Sequence, residues 1–463
     1  MDFIVRLTSL HISNLKNVIN GTIKMPASLK KESNNKCSEI LGIYGQNGSG
    51  KTAVIDAVYF LHQIMTGNPV PDELYECINS DAEYALITAG FNITKDDAVY
   101  DIEYTIKFAK DGKKAVISEE CIKYSALISG ERKNKTVLIN YERDNKRNIL
   151  KPLKLLRKIN AEDHESITNL IVARKISEKL NCSYIFNENV CEIFVGKYGN
   201  SCVEHMCIIS ALWQYAVKNL FVIRNTSSGL ISANIMLPIT FKLGGEDIGI
   251  KGDLLAPLKD CMVVEKNIKS LMDEMIFEIN IVLKTIIPEM KIGIKSNGPQ
   301  LTESGKEGEN IELISLRNEK HPIPLRMESD GVIKIISILG ALIHAFGNPS
   351  VLLAVDELDA GIFEYMLGEL LDIFNKNGKG QLIFTSHNLR PLEMLDRDSI
   401  IFSTADHKER YVRIKNAKKS NNLRDMYLRI ITLGGQNEVM YDETDSLKIA
   451  RAFRKAWREN NFD

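Results

Sequence analysis

Gly45-Gln46-Asn47-Gly48-Ser49-Gly50-Lys51-Thr52 decides the fold class of this 463-residue chain. The octapeptide is a complete Walker A loop. The apolar run Ile40, Leu41, Ile43 and Tyr44 precedes it and reads as a buried strand. Ala53, Val54, Ile55, Ala57, Val58 and Leu61 follow at helical spacing. Strand, glycine loop and helix is the context this motif requires. The glycines let the backbone wrap with its N–H groups turned inward, where they cradle phosphate oxygens at a helix N-terminus. In such a loop Lys51 reaches the β and γ phosphates, and the Thr52 hydroxyl ligates Mg²⁺.

Val351-Leu352-Leu353-Ala354-Val355-Asp356-Glu357 supplies the second half of such a site. The apolar residues predict a central strand ending in two carboxylates, the Walker B pattern. Asp356 is placed to bind Mg²⁺, directly or through water. Glu357 is placed to orient and deprotonate an attacking water. An apolar run ending in Asp-Glu is weak evidence alone; joined to the Walker A loop it is strong.

Leu358-Asp359-Ala360-Gly361 follows directly, and His387 lies thirty positions after Glu357, at the end of the apolar run Leu382–Ser386. A histidine there is within reach of a γ phosphate. Ahead of the strand, Ser329-Asp330-Gly331 opens another predicted helix. Ser-Asp-Gly is commonly a helix cap, but a Ser and a Gly at a helix N-terminus also form a phosphate cradle. One site has no room for two cradles, so the second is expected to serve the nucleotide of another subunit. The expectation is a head-to-tail dimer with two ATP molecules at its interface.

Composition is that of an ordinary globular chain, 44% apolar and 26% charged with a net charge of −1. No overall basic field argues for nucleic acid. No secretion signal is seen. The longest apolar run, Val332–Phe346, includes Lys334 and His344 and is too short to span a bilayer, so no membrane partner is expected. Eight scattered cysteines form no Cys-x-x-Cys pair, which predicts buried thiols in a reducing, cytoplasmic compartment.

The pattern predicts an α/β fold with a mixed central sheet, an antiparallel β lobe and an inserted, mostly helical subdomain. Residues 1–145 hold the first half of the ATPase head. They comprise a strand or hairpin over 3–23, the Walker A unit, and an antiparallel meander from 84 with a hairpin at Asp111-Gly112. Residues 146–288 read as mostly helical, most clearly Glu265–Ile287, which Pro288 stops. No sustained heptads predict a coiled-coil arm. Residues 289–407 hold the second half of the head, with Ser296–Asn310 expected as a loop. Residues 408–463 form a polar tail rich in Lys and Arg.

This set resembles the ABC-type ATPase heads of the SMC, RecF and OLD kind. The opening run Leu10-His11-Ile12-Ser13-Asn14-Leu15-Lys16-Asn17 is similar to the first signature of that group. The resemblance implies that Ser329, Asp330 and Gly331 are the signature motif acting in trans, that Asp359 lies in the D-loop, and that His387 is the switch histidine. The Ser-Asp-Gly form, Asp356-Glu357-Leu358-Asp359 and Thr385-Ser386-His387-Asn388 look like the bacterial abortive-infection ATPases of the AbiL and RloA type. That group includes the AriA proteins of PARIS anti-phage systems and is similar to the PtuA proteins of Septu. The motifs cover roughly residues 1–65 and 325–405. The signature departs from the usual Leu-Ser-Gly-Gly-Gln, and neither Gln63 nor Gln214 fits a Q-loop, which implies slow or ligand-gated hydrolysis.

The resemblance implies an ATPase that senses a phage-derived trigger and controls a toxic effector nuclease on a separate chain. About 75 residues follow His387, too few for a Toprim nuclease. The alternative is a RecF-like repair ATPase that clamps DNA through a basic face. Lys408, Arg410, Arg413, Lys415, Lys418, Lys419, Arg451, Arg454, Lys455 and Arg458 could supply that face, although a solvated surface explains them as well. A third reading, a binding module with degenerate catalysis, conflicts with the intact Lys51, Asp356 and Glu357.

Overall fold

In the computed structural model, residues 3–30, 37–145, 150–162, 164–197, 203–225, 236–243, 250–258, 261–302, 304–318, 320–406, 409–414, 422–433 and 446–459 are described. Apolar residues alternate along the N-terminal stretch, and it forms a hairpin of β1 (Ile4–Leu15) and β2 (Val18–Lys24), closed at the pair Leu15 and Val18. The Walker A strand β3 (Glu39–Tyr44) and its helix α1 (Lys51–Met65) follow. The expected meander is β4 (Tyr84–Lys95), β5 (Ala98–Asp111), β6 (Lys114–Ile128) and β7 (Glu131–Glu142). Asp111 pairs with Lys114 across a two-residue turn in which Gly112 is left-handed, the conformation glycine supplies without a steric cost. These strands build one antiparallel sheet in the order β2-β1-β4-β5-β6-β7.

Helices Leu153–Glu162, His164–Leu180 and Val203–Asn219 occupy the region expected to be helical. From residue 220 that expectation fails. Leu220–Ile223 is strand β8, followed by the hairpin β9 (Met236–Leu243) and β10 (Ile250–Pro257), and then β11 (Met262–Glu265). Short apolar runs carry no period long enough to separate buried strand from buried helix. Helix Lys266–Ile286 matches the periodic stretch before Pro288. The polar stretch Ser296–Asn310 is also not simply a loop. β12 (Met290–Leu301) and β13 (Glu307–Arg317) extend through it as a hairpin with a bulge at Ser296/Gly298, and β14 (Lys320–Pro324) joins β13. Lys295, Ser296 and Asn297 are solvent-exposed there, so pairing requires no apolar alternation.

The remaining strands are β15 (Leu352–Val355), β16 (Gln381–Thr385), β17 (Ile400–Ser403) and β18 (Tyr411–Val412). They complete a mixed sheet in the order β18-β17-β3-β16-β15-β8, parallel except for β18. Both faces of this sheet are covered, as parallel sheets require. Leu41, Ile43, Leu352, Ala354 and Ile383 face a core shared with α1 and the antiparallel sheet. Ile40, Tyr44, Leu353, Val355, Leu382 and Phe384 face a second core with helices Lys266–Ile286 and Asp330–Gly347. The latter is long and apolar enough to cross a membrane by length and composition, but Ile333, Ile335, Ile336, Ile338 and Leu339 are buried in this core.

Candidate active site

β3, β15 and β16 are parallel, so their C-terminal ends meet at one edge of the sheet, where open α/β sheets bind ligands. β3 leads into the glycine loop, β15 into Asp356, and β16 into His387. These ends open into a cavity of about 790 Å³. Asn47, Gly48, Gly50, Lys51 and Thr52 line one wall; Asp356, Glu357, Thr385 and His387 line another. Of the residues singled out in the sequence, Asn47, Gly48, Gly50, Lys51, Thr52, Asp356, Glu357 and His387 thus line one space, while Gly45, Gln46, Ser49 and Asp359 are not among its lining.

Gly50 is left-handed, with φ of 96°, and caps the N-terminus of α1, leaving its first N–H groups directed at the loop. Its carbonyl accepts the Tyr411 hydroxyl at 2.7 Å, and the Gly48 carbonyl accepts the Asn17 amide. Ser49 donates to the Gln46 carbonyl at 2.6 Å. Lys51 is buried and donates to the Gly45 and Gln46 carbonyls at 2.9 and 3.0 Å. Burial pushes its ammonium below the ordinary value, while Asp356, Glu357 and Asp359 push the other way. A lysine held by carbonyls of its own loop is positioned to transfer those donors to phosphate oxygens.

Thr385 organises the acidic pair. Its hydroxyl donates to Asp356 Oδ1 at 2.6 Å and accepts the Glu357 amide at 2.7 Å. Thr52 Oγ1 lies 3.4 Å from the same Asp356 oxygen. Asp356 Oδ2 is buried and has no hydrogen-bond partner among the described residues. Among the described residues no group of three or more His, Cys, Asp or Glu side chains could hold a metal. Thr52 with an orphaned Asp356 oxygen nevertheless fits Mg²⁺ as phosphate-binding sites hold it, through few protein groups, substrate phosphates and water. Glu357 is left-handed at φ of 49°, which costs a non-glycine residue about 1–2 kcal/mol. It is held from both sides, by Thr385 at its N–H and by the Lys334 ammonium at its carbonyl.

Asp359 Oδ2 accepts the amides of His387 and Asn388 at 3.0 and 2.9 Å, so the residue after Walker B fixes the histidine's backbone. The His387 side chain is exposed toward the cavity. Ser329, Asp330 and Gly331 do not line this cavity. Ser329 caps helix Asp330–Gly347, accepting the Val332 amide at 3.5 Å, and Gly331 packs directly on Gly361.

Four contributors were missed in the sequence. Lys334 lies inside an apolar run and carries no motif; burial lowers its ammonium while Asp359, Glu357 and Asp356 oppose. Thr385 could have been read from its place at a strand end. The third and fourth are Asp56 and Arg224. Asp56, buried in α1, pairs with Lys16 and with Arg224, whose guanidinium also grips Glu73 at 2.7 and 3.1 Å and stacks on Tyr59. The network ties the opening signature residue Lys16 and the end of β8 to α1, and nothing in the sequence pattern links Arg224 to it. Of the basic tail, Lys408, Lys415, Lys418 and Lys419 lie outside the described residues. Arg410 and Arg413 do not form an open basic face: Arg410 is buried against the Thr404 and Asn17 carbonyls, and Arg413 bonds the Lys24 and Asp398 carbonyls.

Residues 9–198 match the family described as AAA domain. The chain is 35% identical over 88 residues to the DNA replication and repair protein RecF of Chlorobium phaeobacteroides (strain BS1). That match covers 19% of this chain and spans 23% of the relative's length. Among solved structures, the chain aligns over 89% of its length with an Smc head domain from Pyrococcus furiosus bound to the C-terminal domain of ScpA, at 13% identity, 96% coverage of that chain and a TM-score of 0.41. It aligns over 86% with the recombination mediator RecF bound to an ATP analogue, at 12% identity, 96% coverage of that chain and a TM-score of 0.35.

Proposed function

We propose that this chain is an ATP hydrolase whose site is completed by a second copy, and that it acts as the sensor or scaffold of an anti-phage system controlling a separate effector nuclease. The observation that carries the enzymatic reading is the convergence of Lys51, Thr52, Asp356, Glu357 and His387 on one cavity that Ser329 and Gly331 do not reach. In this reading the β and γ phosphates replace the Gly45 and Gln46 carbonyls as partners of Lys51. Thr52 and Asp356 would hold Mg²⁺, which would supply positive charge against the phosphates. Glu357 takes the proton of a water whose oxygen attacks the γ phosphorus; the bond to the bridging oxygen breaks, leaving ADP and phosphate. Met327 and Phe363, 70% and 68% exposed and each two residues from Ser329 or Gly361, give the signature surface an apolar rim suited to a partner copy.

The defence role rests on Ser329-Asp330-Gly331, Asp356-Glu357-Leu358-Asp359 and Thr385-Ser386-His387-Asn388 taken together. It places the protein in the cytoplasm with a phage-derived trigger. A RecF-like DNA-clamping role is the second reading, favoured by the 35% identity to RecF. Glu357→Gln protein recovered from its native host at saturating ATP distinguishes them. A stoichiometric small protein bearing nuclease-like acidic clusters supports the defence role. Chromosomal DNA or recombination proteins, lost at high salt, overturn it in favour of the second.

A further inference from the structure

The last helix, Ser446–Glu459, has two faces. Ile449, Phe453 and Trp457 recur every fourth residue and are 45%, 74% and 70% exposed. Lys448, Arg451 and Lys455 run along the opposite side, and Arg454 stands at the rim between them. Arg451 and Arg454 have no carboxylate partner among the described residues. A helix of this length is marginal in water unless its apolar stripe is covered, so the pattern calls for a partner that is both apolar and acidic.

The same chain carries such a surface. Helix Lys266–Ile286 buries Met272, Met275, Ile276, Ile279 and Leu283 in the core, yet leaves Phe277 69% and Ile281 51% exposed on its outer side. Asp273, Glu274 and Glu278 flank this pair, and none of the three carboxylates has an ion pair or hydrogen bond among the described residues. Glu274 and Glu278 are one turn apart and repel; partial burial first, and then Glu274, raise Glu278 above the ordinary carboxylate range.

We propose that the Ser446–Glu459 helix of one copy docks on the Lys266–Ile286 helix of a second copy, with Phe453 and Trp457 covering Phe277 and Ile281 and with Arg454, at the rim of that stripe, meeting Glu274 and Glu278. Within one chain both surfaces remain exposed, so the contact lies between copies. An anionic lipid surface or nucleic acid would use the basic side but leave the acidic apolar patch unexplained. Two copies exchanging helices close a twofold assembly. The contact involves no residue of the nucleotide cavity, so it forms without nucleotide and stands whether or not the ATPase reading does.

Light scattering of the full chain in nucleotide-free buffer tests this. The wild type is expected at twice the mass of one chain or more. Phe453→Asp, at a site too exposed to endanger the fold, is expected to fall to the mass of one chain. Glu274→Lys with Glu278→Lys is expected to fall likewise, and adding Arg454→Glu to that variant to restore the larger mass. A wild type already at the mass of one chain overturns the proposal. So does a Phe453→Asp variant of unchanged mass, including one that has instead lost binding to anionic vesicles or DNA. A three-residue charge swap that fails to restore the assembly overturns it as well.

Discussion

Thr385 donates its hydroxyl to Asp356 at 2.6 Å and, with the same oxygen, accepts the amide of Glu357 at 2.7 Å. One side chain at the end of β16 therefore sets both acids at the end of β15. Removing the hydroxyl while keeping the volume, Thr385→Val, frees both; a displacement of about 1 Å at a reacting centre costs about 100-fold in rate. Steady-state ATP turnover is expected to fall by that order in Thr385→Val, while Thr385→Ser, which keeps the hydroxyl, retains most of it.

Gly331 and Gly361 touch backbone to backbone, joining the Ser-Asp-Gly turn to the loop after Walker B. A Cβ at Gly331 would lie 1.8 Å from the Gly361 carbonyl oxygen, and Gly361 is itself left-handed at φ of 76°. Gly331→Ala is expected to cost about 1–3 kcal/mol, as overpacking does, seen as a lower thermal unfolding midpoint. Gly347→Ala, at the other end of the same helix with nothing within 4 Å of the added methyl, is the control and leaves the midpoint unchanged or higher.

Asp56 is 1% exposed and answers two cations, Arg224 at 2.8 Å and Lys16. Asp56→Asn leaves Arg224 short of charge in a site it cannot leave, with a loss of about 3 kcal/mol expected for breaking a buried pair. Chemical denaturation measures it. An Asp56→Asn protein as stable as the wild type would show that Glu73 alone satisfies Arg224.

Glu120 is fully buried and accepts four hydrogen bonds, from Tyr104 and Ser183 at 2.6 Å and from the Tyr184 and Ile185 amides at 2.9 and 3.3 Å. It fastens β6 to the segment that follows helix His164–Leu180. Glu120→Gln turns an amide donor toward N–H or O–H donors. The expected cost is about 1–3 kcal/mol for the groups left unsatisfied, read as a lower unfolding midpoint with ATP turnover preserved below it.

α1, the antiparallel meander and helix Lys266–Ile286 were legible because each repeats its period long enough to be counted, and the Walker strands, apolar runs without a period, because each leads directly into its motif. β8 was not: Leu220–Ile223 is four apolar residues beside a helix, and only its pairing with β15 makes it a strand. Thr385 had only its place at a strand end to mark it, whereas Lys334 acts through a backbone carbonyl and carboxylates that lie close in space but far in sequence, so no local pattern marks it. The same holds for Arg224, which reaches Asp56 across 168 positions. Where chemistry needs a fixed spacing, as at Gly45–Thr52 and Asp356-Glu357, the residues announce themselves; where it needs only a donor at the right point, many sequences would serve.

ATP turnover and ATP retention by wild type, Lys51→Ala and Glu357→Gln, each with Mg²⁺, test the central claim most directly. Wild type should hydrolyse ATP. Lys51→Ala should neither hydrolyse nor retain it, and Glu357→Gln should retain ATP uncleaved. Wild-type turnover in either variant would contradict the site built from Lys51, Asp356 and Glu357.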